Sequence, residues 1–376
     1  MSSEYSDRRH ETSVLRKEVR AFLEAERNAG GFIPEVDSWL GGFDAGFSRK
    51  LGARGWIGMT WPERFGGQGL SNVHRFVLIE ELLAAGAPVA AHWFADRQVG
   101  PAIIRLGTPF QQEYFLPRIV RGELFFAVGL SEPDSGSDLA SVQTRAEPNS
   151  DGWRIRGTKL WTSGAHACHN IVVLCRSERR GADPRAGLSQ FIVDLTSPGV
   201  TVRPIRLLNG EHHFNEVQFD DVQVGPEALL GEVGAGWSQV TAELGFERSG
   251  PERFLSTLPL LEAYLASDPS PEDSRAAATV GSAAAELWSL RQLSISVAGA
   301  MDTGEVPALE ATIVKDLGTR YEQRLVDDVR SLVGACPPGS RLESLLRRAV
   351  EHSPGFTLRG GTNEVLRSIV AKGLGI

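Results

Sequence analysis

The spacing of the apolar residues changes twice along this chain, near Glu123 and near Gly236. Before the first change, apolar residues recur at helical spacing over 11–25 and over 75–85. Between the two changes the apolar runs are short and β-rich, and 153–157 alternates with a period of two. After the second change the helical spacing returns. An order of helices, strands and helices predicts an α+β fold and disfavours the βαβ units of a Rossmann sheet.

These changes predict three domains. We expect an N-terminal helical domain over 1–122, a middle β-domain of barrel or sandwich type over 123–228, and a C-terminal helical bundle over 229–376. Within the bundle a helix is predicted over 253–265. Pro251 would cost about 3 kcal/mol inside a continuous helix, so the helix in this region is predicted to be kinked or restarted there.

The composition of the 376 residues argues against several classes of protein. The net charge is −8 without a block of like charges, so neither a nucleic-acid footprint nor a polybasic membrane patch is expected. No Cys-x-x-Cys occurs, and the spacing of His166, Cys168 and His169 fits no common zinc pattern, so no metal site is predicted. Residues 1–10 are polar, and no apolar run reaches the ~18 residues of a membrane span. A soluble, cytoplasmic protein is therefore expected.

The most specific stretch of sequence begins at Gly129, ends at Ser141 and reads GLSEPDSGSDLAS. Its small residues let the main chain approach a flat or phosphorylated ligand closely, and its hydroxyls and amides can bond the polar edge of that ligand. On these grounds alone, a generic Ser/Gly loop explains the stretch about as well. No Gly-x-Gly-x-x-Gly lies between a strand and a helix, so any dinucleotide must bind by another geometry.

Over all thirteen positions this stretch resembles the signature of the acyl-CoA dehydrogenases. The resemblance continues in the same order of segments from about Leu15 to the C-terminus, and it is weakest over 249–353. It implies the acyl-CoA dehydrogenase fold, FAD between the β-domain and the bundle, and α,β-dehydrogenation of an acyl-CoA thioester. The supporting blocks are 61–69 (WPERFGGQG), 157–165 (GTKLWTSGA), 234–237 (GAGW) and 360–367 (GGTNEVLR).

The resemblance also implies which residues hold the cofactor. Trp161 would cover one face of the flavin ring, and Ser131 and Ser163 would bond near N5. Glu364 would lie in the FAD phosphate and ribose region, where its charge would repel a pyrophosphate unless another group intervenes. The complete implied set is Leu130, Ser131, Gly136, Ser137, Trp161, Ser163, Thr362 and Glu364.

The catalytic base lies at an unusual position. Many members of the family carry a glutamate directly before Gly-Thr in the C-terminal block, but this residue is Gly360 here, and glycine cannot accept a proton. Other members, such as the isovaleryl type, carry the base on an earlier helix directly before an arginine. Glu247 matches that position, and burial beside the flavin and the acyl chain would raise its pKa towards neutrality. The alternative interpretation of Glu247 and Arg248 is an ordinary solvated helix pair.

The substrate contacts are implied in the same way. Ser137 would line the thioester end of CoA, and Arg248 would hold the catalytic carboxylate or the CoA. The main-chain N–H of Gly360 would polarise the thioester carbonyl and so acidify the α-proton. With Gly361 next to it, no side chain covers Cα, which leaves room for a branched or bulky acyl group.

Two elements of the homotetrameric members are missing. Those members carry Arg-x-x-Phe-Gly and Gln-x-x-Gly-Gly-x-Gly elements that reach the FAD of a neighbouring subunit, whereas here 249–254 reads SGPERF and 329–339 reads VRSLVGACPPG. The pattern is similar to the glutamate-bearing subunit of the heteromeric actinobacterial sterol side-chain acyl-CoA dehydrogenases. It implies an α2β2 complex with a related subunit, a steroid side-chain CoA as substrate, and an electron-transferring flavoprotein as acceptor. Two alternatives are a flavin monooxygenase or oxidase on the same fold and a non-catalytic partner subunit.

Overall fold

The structure is a computed structural model of the chain. Its main chain is described for 3–179, 181–270, 272–305, 307–334, 336 and 338–376, and the side chains of 3–9 and 243–247 lie outside the described part. The chain forms two compact units. The first comprises Met1–Gly42, Leu70–Pro88 and Gly245–Ile376, and the second comprises Phe43–Gly69 and Val89–Leu244.

Helices dominate both ends of the chain and strands dominate the middle, which confirms the predicted α+β class. The helices before the sheet are α1 (Ser3–Asn28), α2 (Ser38–Gly41), α3 (Ala45–Gly52), α4 (Asn72–Ala84), α5 (Ala90–Phe94), α6 (Gly100–Leu106) and α7 (Pro109–Val120). The strands are β1 (Phe126–Gly129), β2 (Arg145–Asn149), β3 (Gly152–Ser163), β4 (Asn170–Arg176), β5 (Leu188–Asp194), β6 (Val200–Arg206), β7 (His212–Val224) and β8 (Leu229–Leu230). The remaining helices are α8 (Gly236–Glu247), α9 (Leu258–Ala266), α10 (Ser274–Asp302), α11 (Ala308–Leu332), α12 (Arg341–Phe356) and α13 (Asn363–Gly373).

The second unit is built on a sheet. The strands of the described residues form one eight-stranded sheet in the order β6-β7-β3-β2-β4-β5-β8, and β1 pairs with β4 in parallel. The longest pair, β3 with β7, is antiparallel and contains two register shifts. Two apolar clusters pack against the sheet, a large one and a smaller one that includes Leu174 on β4 and Leu188 on β5. The buried members of the larger cluster include Ile155, Ile171, Val173, Phe191, Val193, Val217 and Phe219.

The first unit is a helical assembly in which α11 packs against α10, α12 and α13, and α4 packs against α1 and α10. Buried acidic residues on α4 join these helices. Glu80 accepts hydrogen bonds from Arg16 on α1, at 2.6 Å, and from Arg291 on α10, at 2.5 Å. Polar side chains cap the helices, as at Asp273, which accepts the main-chain N–H groups of the first turn of α10.

The prediction of a helix break near Pro251 is confirmed, but the predicted helix over 253–265 began too early. The residues Pro251–Arg253 form a single 3₁₀ turn, and the helix resumes only at Leu258. Proline is favoured in the first turn of such a segment because its missing N–H and fixed φ do no harm there. The domain boundaries at 122/123 and 228/229 stay predictions.

Candidate functional site

A buried ion pair in the second unit holds the loop after β1. The carboxylate of Glu132 lies 2.8 Å from Nζ of Lys159, which is fully buried on β3. Glu132 also accepts the main-chain N–H groups of Gln143, at 2.7 Å, and Thr144, at 2.9 Å, while Lys159 donates to the carbonyl of Leu130 at 3.1 Å. Burial opposes ionisation of Glu132, but Lys159 and these hydrogen bonds outweigh it, so the pKa of Glu132 lies below its usual value. The pair thereby fixes both ends of the loop.

The middle of this loop is a tight turn with an open side. Glu132 and Ser135 exchange two main-chain hydrogen bonds, of 2.7 and 3.2 Å, and the hydroxyl of Ser135 donates to the carbonyl of Asp138 at 3.0 Å. Gly136 and Ser137 are exposed, and no heavy atom lies within 4 Å of the position that a β-carbon on Gly136 would occupy. The main chain at Gly136 and Ser137 is therefore accessible, and the predicted role of these residues in ligand binding stays a prediction.

Trp161 lies at a bulge in β3. Lys159 pairs with Val217 and Thr162 pairs with Asn215, so three steps along β3 oppose two along β7 and one extra residue is accommodated. Trp161 has φ of +58°, a left-handed conformation that is unfavourable for a bulky side chain, and 54% of its surface is exposed. A strained residue that exposes a large aromatic face marks a ligand surface more often than a packing site.

The bulge and the loop are joined through their main chains. The carbonyl of Ser131 accepts the main-chain N–H of Leu160 at 2.8 Å, next to Trp161. Ser163 follows in β3 and is half-buried, and the ring of Phe214 contacts the Trp161 indole edge-to-face at 5.8 Å. The structure therefore brings the predicted flavin-ring residues of the second unit onto two adjoining segments.

In the first unit, the predicted substrate loop begins with two left-handed glycines. Gly360 has φ of +67° and Gly361 has φ of +85°. A β-carbon on Gly360 would lie 2.9 Å from Nη2 of Arg253, which is closer than real contacts permit. A β-carbon on Gly361 would lie 3.4 Å from Leu366 and 3.5 Å from Nη2 of Arg248, which are ordinary contacts. A side chain at Gly360 would therefore require the Arg253 guanidinium to shift, whereas one at Gly361 would be restricted only by the main-chain conformation.

Beyond the glycines the loop becomes the first turn of α13. The hydroxyl of Thr362 accepts the main-chain N–H of Val365 at 3.3 Å, which is an N-cap hydrogen bond. Glu364 is exposed, and its hydrogen bond to its own main-chain N–H is the largest cause that lowers its pKa. A carboxylate in the first turn complements the helix dipole, so Glu364 already has a structural function that requires no ligand.

A buried cationic group lies beneath this loop. Lys315 on α11 is fully buried and donates to the side-chain oxygen of Asn363 at 2.6 Å and to the carbonyl of Thr357 at 3.3 Å. Burial first, and then the charges of Arg253 and Arg359, lower the pKa of Lys315 to about 7. Lys315 therefore ties the start of α13 to α11 and keeps the polypeptide after Gly361 in one position.

The predicted base, Glu247, is the last residue of α8, and its side chain lies outside the described residues. Arg248 follows it and is half-buried beside Gly361. The roles of both residues therefore stay predictions. The sequence did not predict the residues that support the site. Among them only Lys159 could have been found locally, because a lysine within a predicted strand suggests a buried ion pair. The supporting residues are Glu132, Lys159, Asn215, Arg253, Lys315 and Asn363.

The fold and this geometry define a class of protein. Helices before and after an eight-stranded sheet make an α+β protein, and its second unit carries an exposed indole at Trp161 and an open glycine loop at Gly136. Three family models match the chain in order: acyl-CoA dehydrogenase N-terminal domain over 9–123, middle domain over 127–222 and C-terminal domain over 273–375. The chain belongs to the acyl-CoA dehydrogenase family.

Individual relatives and solved structures support the same family assignment. Acyl-CoA dehydrogenase IpdE1 of Mycobacterium tuberculosis is 36% identical over 343 residues, which cover 87% of this chain and 86% of the relative. The solved Tcur3481-Tcur3483 steroid ACAD has a TM-score of 0.86 at 28% identity and covers 98% of each chain. The ChsE4-ChsE5 complex from Mycobacterium tuberculosis has a TM-score of 0.84 at 26% identity and covers 97% of each chain. The predicted fold and the predicted likeness to subunits of heteromeric steroid enzymes are confirmed.

Among the described residues, no helix has both the length and the apolar character that a membrane crossing requires.

Proposed function

We propose that this chain is the glutamate-bearing subunit of an FAD-dependent acyl-CoA dehydrogenase that desaturates the Cα–Cβ bond of a bulky acyl-CoA, such as a steroid side-chain CoA. The observation that carries the proposal is the exposed indole of Trp161 on a strained bulge whose neighbour Leu160 is bonded to Ser131 in the loop after β1. A flat ring stacked on the exposed indole would use the conformation in which the bulge holds Trp161.

The residues of the second unit fit a flavin. Trp161 would cover one face of the ring, Ser131 and Ser163 would donate hydrogen bonds near N5, and Gly136 with Ser137 would admit the ring edge and the thioester to the main chain. A bound flavin supplies a hydride acceptor at N5. Leu130 would contact the ring from a loop that the Glu132 ion pair already holds rigid, so little ordering would be required on binding.

The residues of the first unit would act on the thioester. Glu247 takes the α-proton as the β-hydrogen leaves with its electron pair, and the main-chain N–H of Gly360 donates to the thioester carbonyl, on which negative charge develops. Arg248 would hold the carboxylate of Glu247 or the CoA. The contact that Arg253 would make with any β-carbon at Gly360 supports the assignment of the base to a residue other than 360.

Thr362 and Glu364 would meet the phosphate and ribose of FAD. The first turn of α13 offers main-chain N–H groups, and anions bind favourably at such helix starts. The positive charges of Arg367 and then of Lys315 act on Glu364 and would offset its charge there. The carboxylate of Glu364 also bonds to its own main-chain N–H, so a contact with FAD would have to accommodate that bond.

The acyl group and the partner follow from the same loop and from the relatives. The two left-handed glycines leave no side chain over Cα, which supports a branched or bulky acyl group. The solved steroid relatives carry paired names, Tcur3481-Tcur3483 and ChsE4-ChsE5, and we propose that this chain likewise pairs with a related subunit in an α2β2 complex. We further propose that the complex is cytoplasmic and passes electrons to an electron-transferring flavoprotein.

The test is co-expression with a related subunit, followed by measurement of flavin per chain. The purified complex is then mixed without oxygen with a steroid side-chain CoA and with a short straight-chain acyl-CoA. We expect the flavin absorbance to bleach with the steroid substrate and mass spectrometry to detect the enoyl-CoA. A fast reaction of the reduced flavin with added oxygen and no enoyl-CoA product would favour a monooxygenase or oxidase, and a complex that binds flavin only on the partner would indicate a non-catalytic subunit.

A further inference from the structure

A side chain on β7 bonds to β3 beside the bulge that carries Trp161. Asn215 on β7 lies opposite Thr162 and is fully buried. Its amide Nδ2 donates to the main-chain carbonyl of Thr162 at 2.9 Å. A side-chain hydrogen bond therefore joins the two strands at the residue between Trp161 and Ser163, where the ladder resumes its register after the bulge.

Two histidines fix the orientation of that amide. Nδ1 of His166 lies 3.2 Å from Oδ1 of Asn215, and Nε2 of His212 lies 2.8 Å from the same oxygen. Because Nδ2 must donate to Thr162, the oxygen accepts from both imidazoles, and each ring carries its proton on the nitrogen that faces Asn215. A rotated amide would set an NH₂ group against two ring N–H groups.

The two histidines also contact each other. Their rings are stacked with centroids 4.0 Å apart and planes at 29°. His166 lies in the short 3₁₀ turn Ala165–Ala167 directly after β3, and His212 is the first residue of β7. The stack therefore joins the two chain segments that leave the bulge. Burial and the neighbouring His212 lower the pKa of His166, which favours the neutral ring that this hydrogen-bond pattern requires.

We propose that Asn215, oriented by the stacked His166 and His212, is the positioning residue that sets the conformation of the Trp161 bulge. The inference rests on the proposed function for its purpose, because the bulge presents the indole to the flavin. The test of the inference does not depend on the proposed function. Asn215 acts through Thr162 and contacts neither flavin nor substrate, so it is a positioning residue and not a catalytic one.

The test follows Trp161 in the flavin-free full chain. The protein is labelled with 5-fluorotryptophan, and the ¹⁹F resonance of Trp161, one of eight tryptophans, is assigned by its loss in Trp161→Phe. Asn215→Asp keeps the size and the acceptor oxygen but removes the donor to Thr162. We expect the Trp161 resonance to shift or broaden, while resonances of tryptophans outside the second unit stay unchanged.

The matched control is Asn149→Asp, the same change in the same sheet. Asn149 ends β2 and donates to Gln223 at 2.7 Å in an exposed hairpin, away from the bulge. We expect this variant to leave the Trp161 resonance in place. If Asn215→Asp does not fold, the double variant His166→Phe/His212→Phe keeps both rings and removes both donors. It should displace the same resonance to a smaller extent, because Asn215 can then rotate.

A Trp161 resonance that is unchanged in Asn215→Asp, or unchanged in a folded double histidine variant, overturns the inference. Measurements on the flavin-loaded complex test the proposed function separately. If the resonance moves and the visible circular dichroism of bound flavin changes in both Asn215→Asp and Trp161→Phe, both proposals are supported. If the resonance moves but neither variant alters the flavin spectrum, Asn215 still positions the bulge, and the assignment of Trp161 to the flavin is wrong.

Discussion

The guanidinium of Arg253 lies against the α-carbon side of Gly360, so that a β-carbon there would be 2.9 Å from Nη2 and 3.1 Å from Nη1. Arg253 is fully buried and also lies 5.3 Å from the ring of Trp39, so it has little freedom to withdraw. The left-handed φ of Gly360 adds a conformational penalty for any other residue. A side chain at the position where many family members carry their base therefore requires the Arg253 guanidinium to shift and the main chain to hold an unfavourable conformation.

A carboxylate introduced at this position should not act as a base. Gly360→Glu is expected to destabilise the chain by about 1–3 kcal/mol, because the left-handed backbone and the contact with Arg253 must both be relieved. In an inactive Glu247→Gln background, we expect Gly360→Glu to restore no dehydrogenation. Urea unfolding measures the first effect, and enoyl-CoA formation measures the second. Recovery of activity in the double variant would contradict the account.

The ion pair of Glu132 and Lys159 should be strongly coupled. Glu132→Gln leaves a buried cation without its partner, and Lys159→Met leaves a buried anion, so each is expected to cost about 3–5 kcal/mol. The double variant should lose less than the sum by more than about 1 kcal/mol. Urea unfolding of the four proteins gives the coupling. The exposed pair Arg203 and Glu216, at 2.8 Å on neighbouring strands, is the control and should couple by less than about 1 kcal/mol. Additive losses at Glu132 and Lys159 would be inconsistent with the buried pair.

His92 should make the chain sensitive to acid. It is buried on α5 with Nδ1 2.8 Å from the hydroxyl of Ser48, and burial lowers its pKa from 6.5 to about 3. A lowered folded-state pKa means that the stability from the neutral ring is complete above pH 6.5 and is lost as the pH falls towards 3, by about 4–5 kcal/mol in all. His92→Gln should therefore lose stability less steeply between pH 6 and pH 4 in urea titrations. Parallel curves for the two proteins would show that His92 does not titrate as described.

Trp161 should be important for flavin binding but not for folding. Trp161→Gly removes a half-exposed indole and relieves the left-handed strain, and these effects oppose the entropy of an added glycine. We expect the free energy of unfolding of the flavin-free chain to stay within about 1 kcal/mol of wild type, while flavin affinity in the complex falls about tenfold or more. Calorimetric unfolding and flavin titration make the two measurements. A large loss of stability with unchanged affinity would assign Trp161 to packing.

The predictions that were correct rest on steric effects between residues close in sequence. Pro251 lacks the N–H that a continuous helix would use, so a break near it was predictable, whereas the resumption at Leu258 depends on the 3₁₀ turn that begins at the proline. The importance of Trp161 followed from a family motif. Its left-handed conformation did not, because the bulge exists only through pairing with β7, about fifty residues further along the chain.

The supporting cations were missed for a related reason. Arg253 and Lys315 occur in predicted helices, where a cation usually faces solvent. Their burial depends on residues that are distant in sequence. Gly360 leaves room for the guanidinium of Arg253, and Asn363 supplies an acceptor for the ammonium group of Lys315. Periodicity describes one element at a time and cannot identify such pairs.

The exchange of the α-proton with solvent tests the central proposal, that Glu247 is the base, most directly. A 3-thia-acyl-CoA can lose its α-proton but offers no β-hydrogen as hydride, so its exchange in D₂O isolates the proton transfer. In the flavin-loaded complex we predict deuterium incorporation at Cα with wild type, slower incorporation with Glu247→Asp, and incorporation about 100-fold slower or more with Glu247→Gln at unchanged affinity for the analogue. Exchange in Glu247→Gln at the wild-type rate would contradict the account.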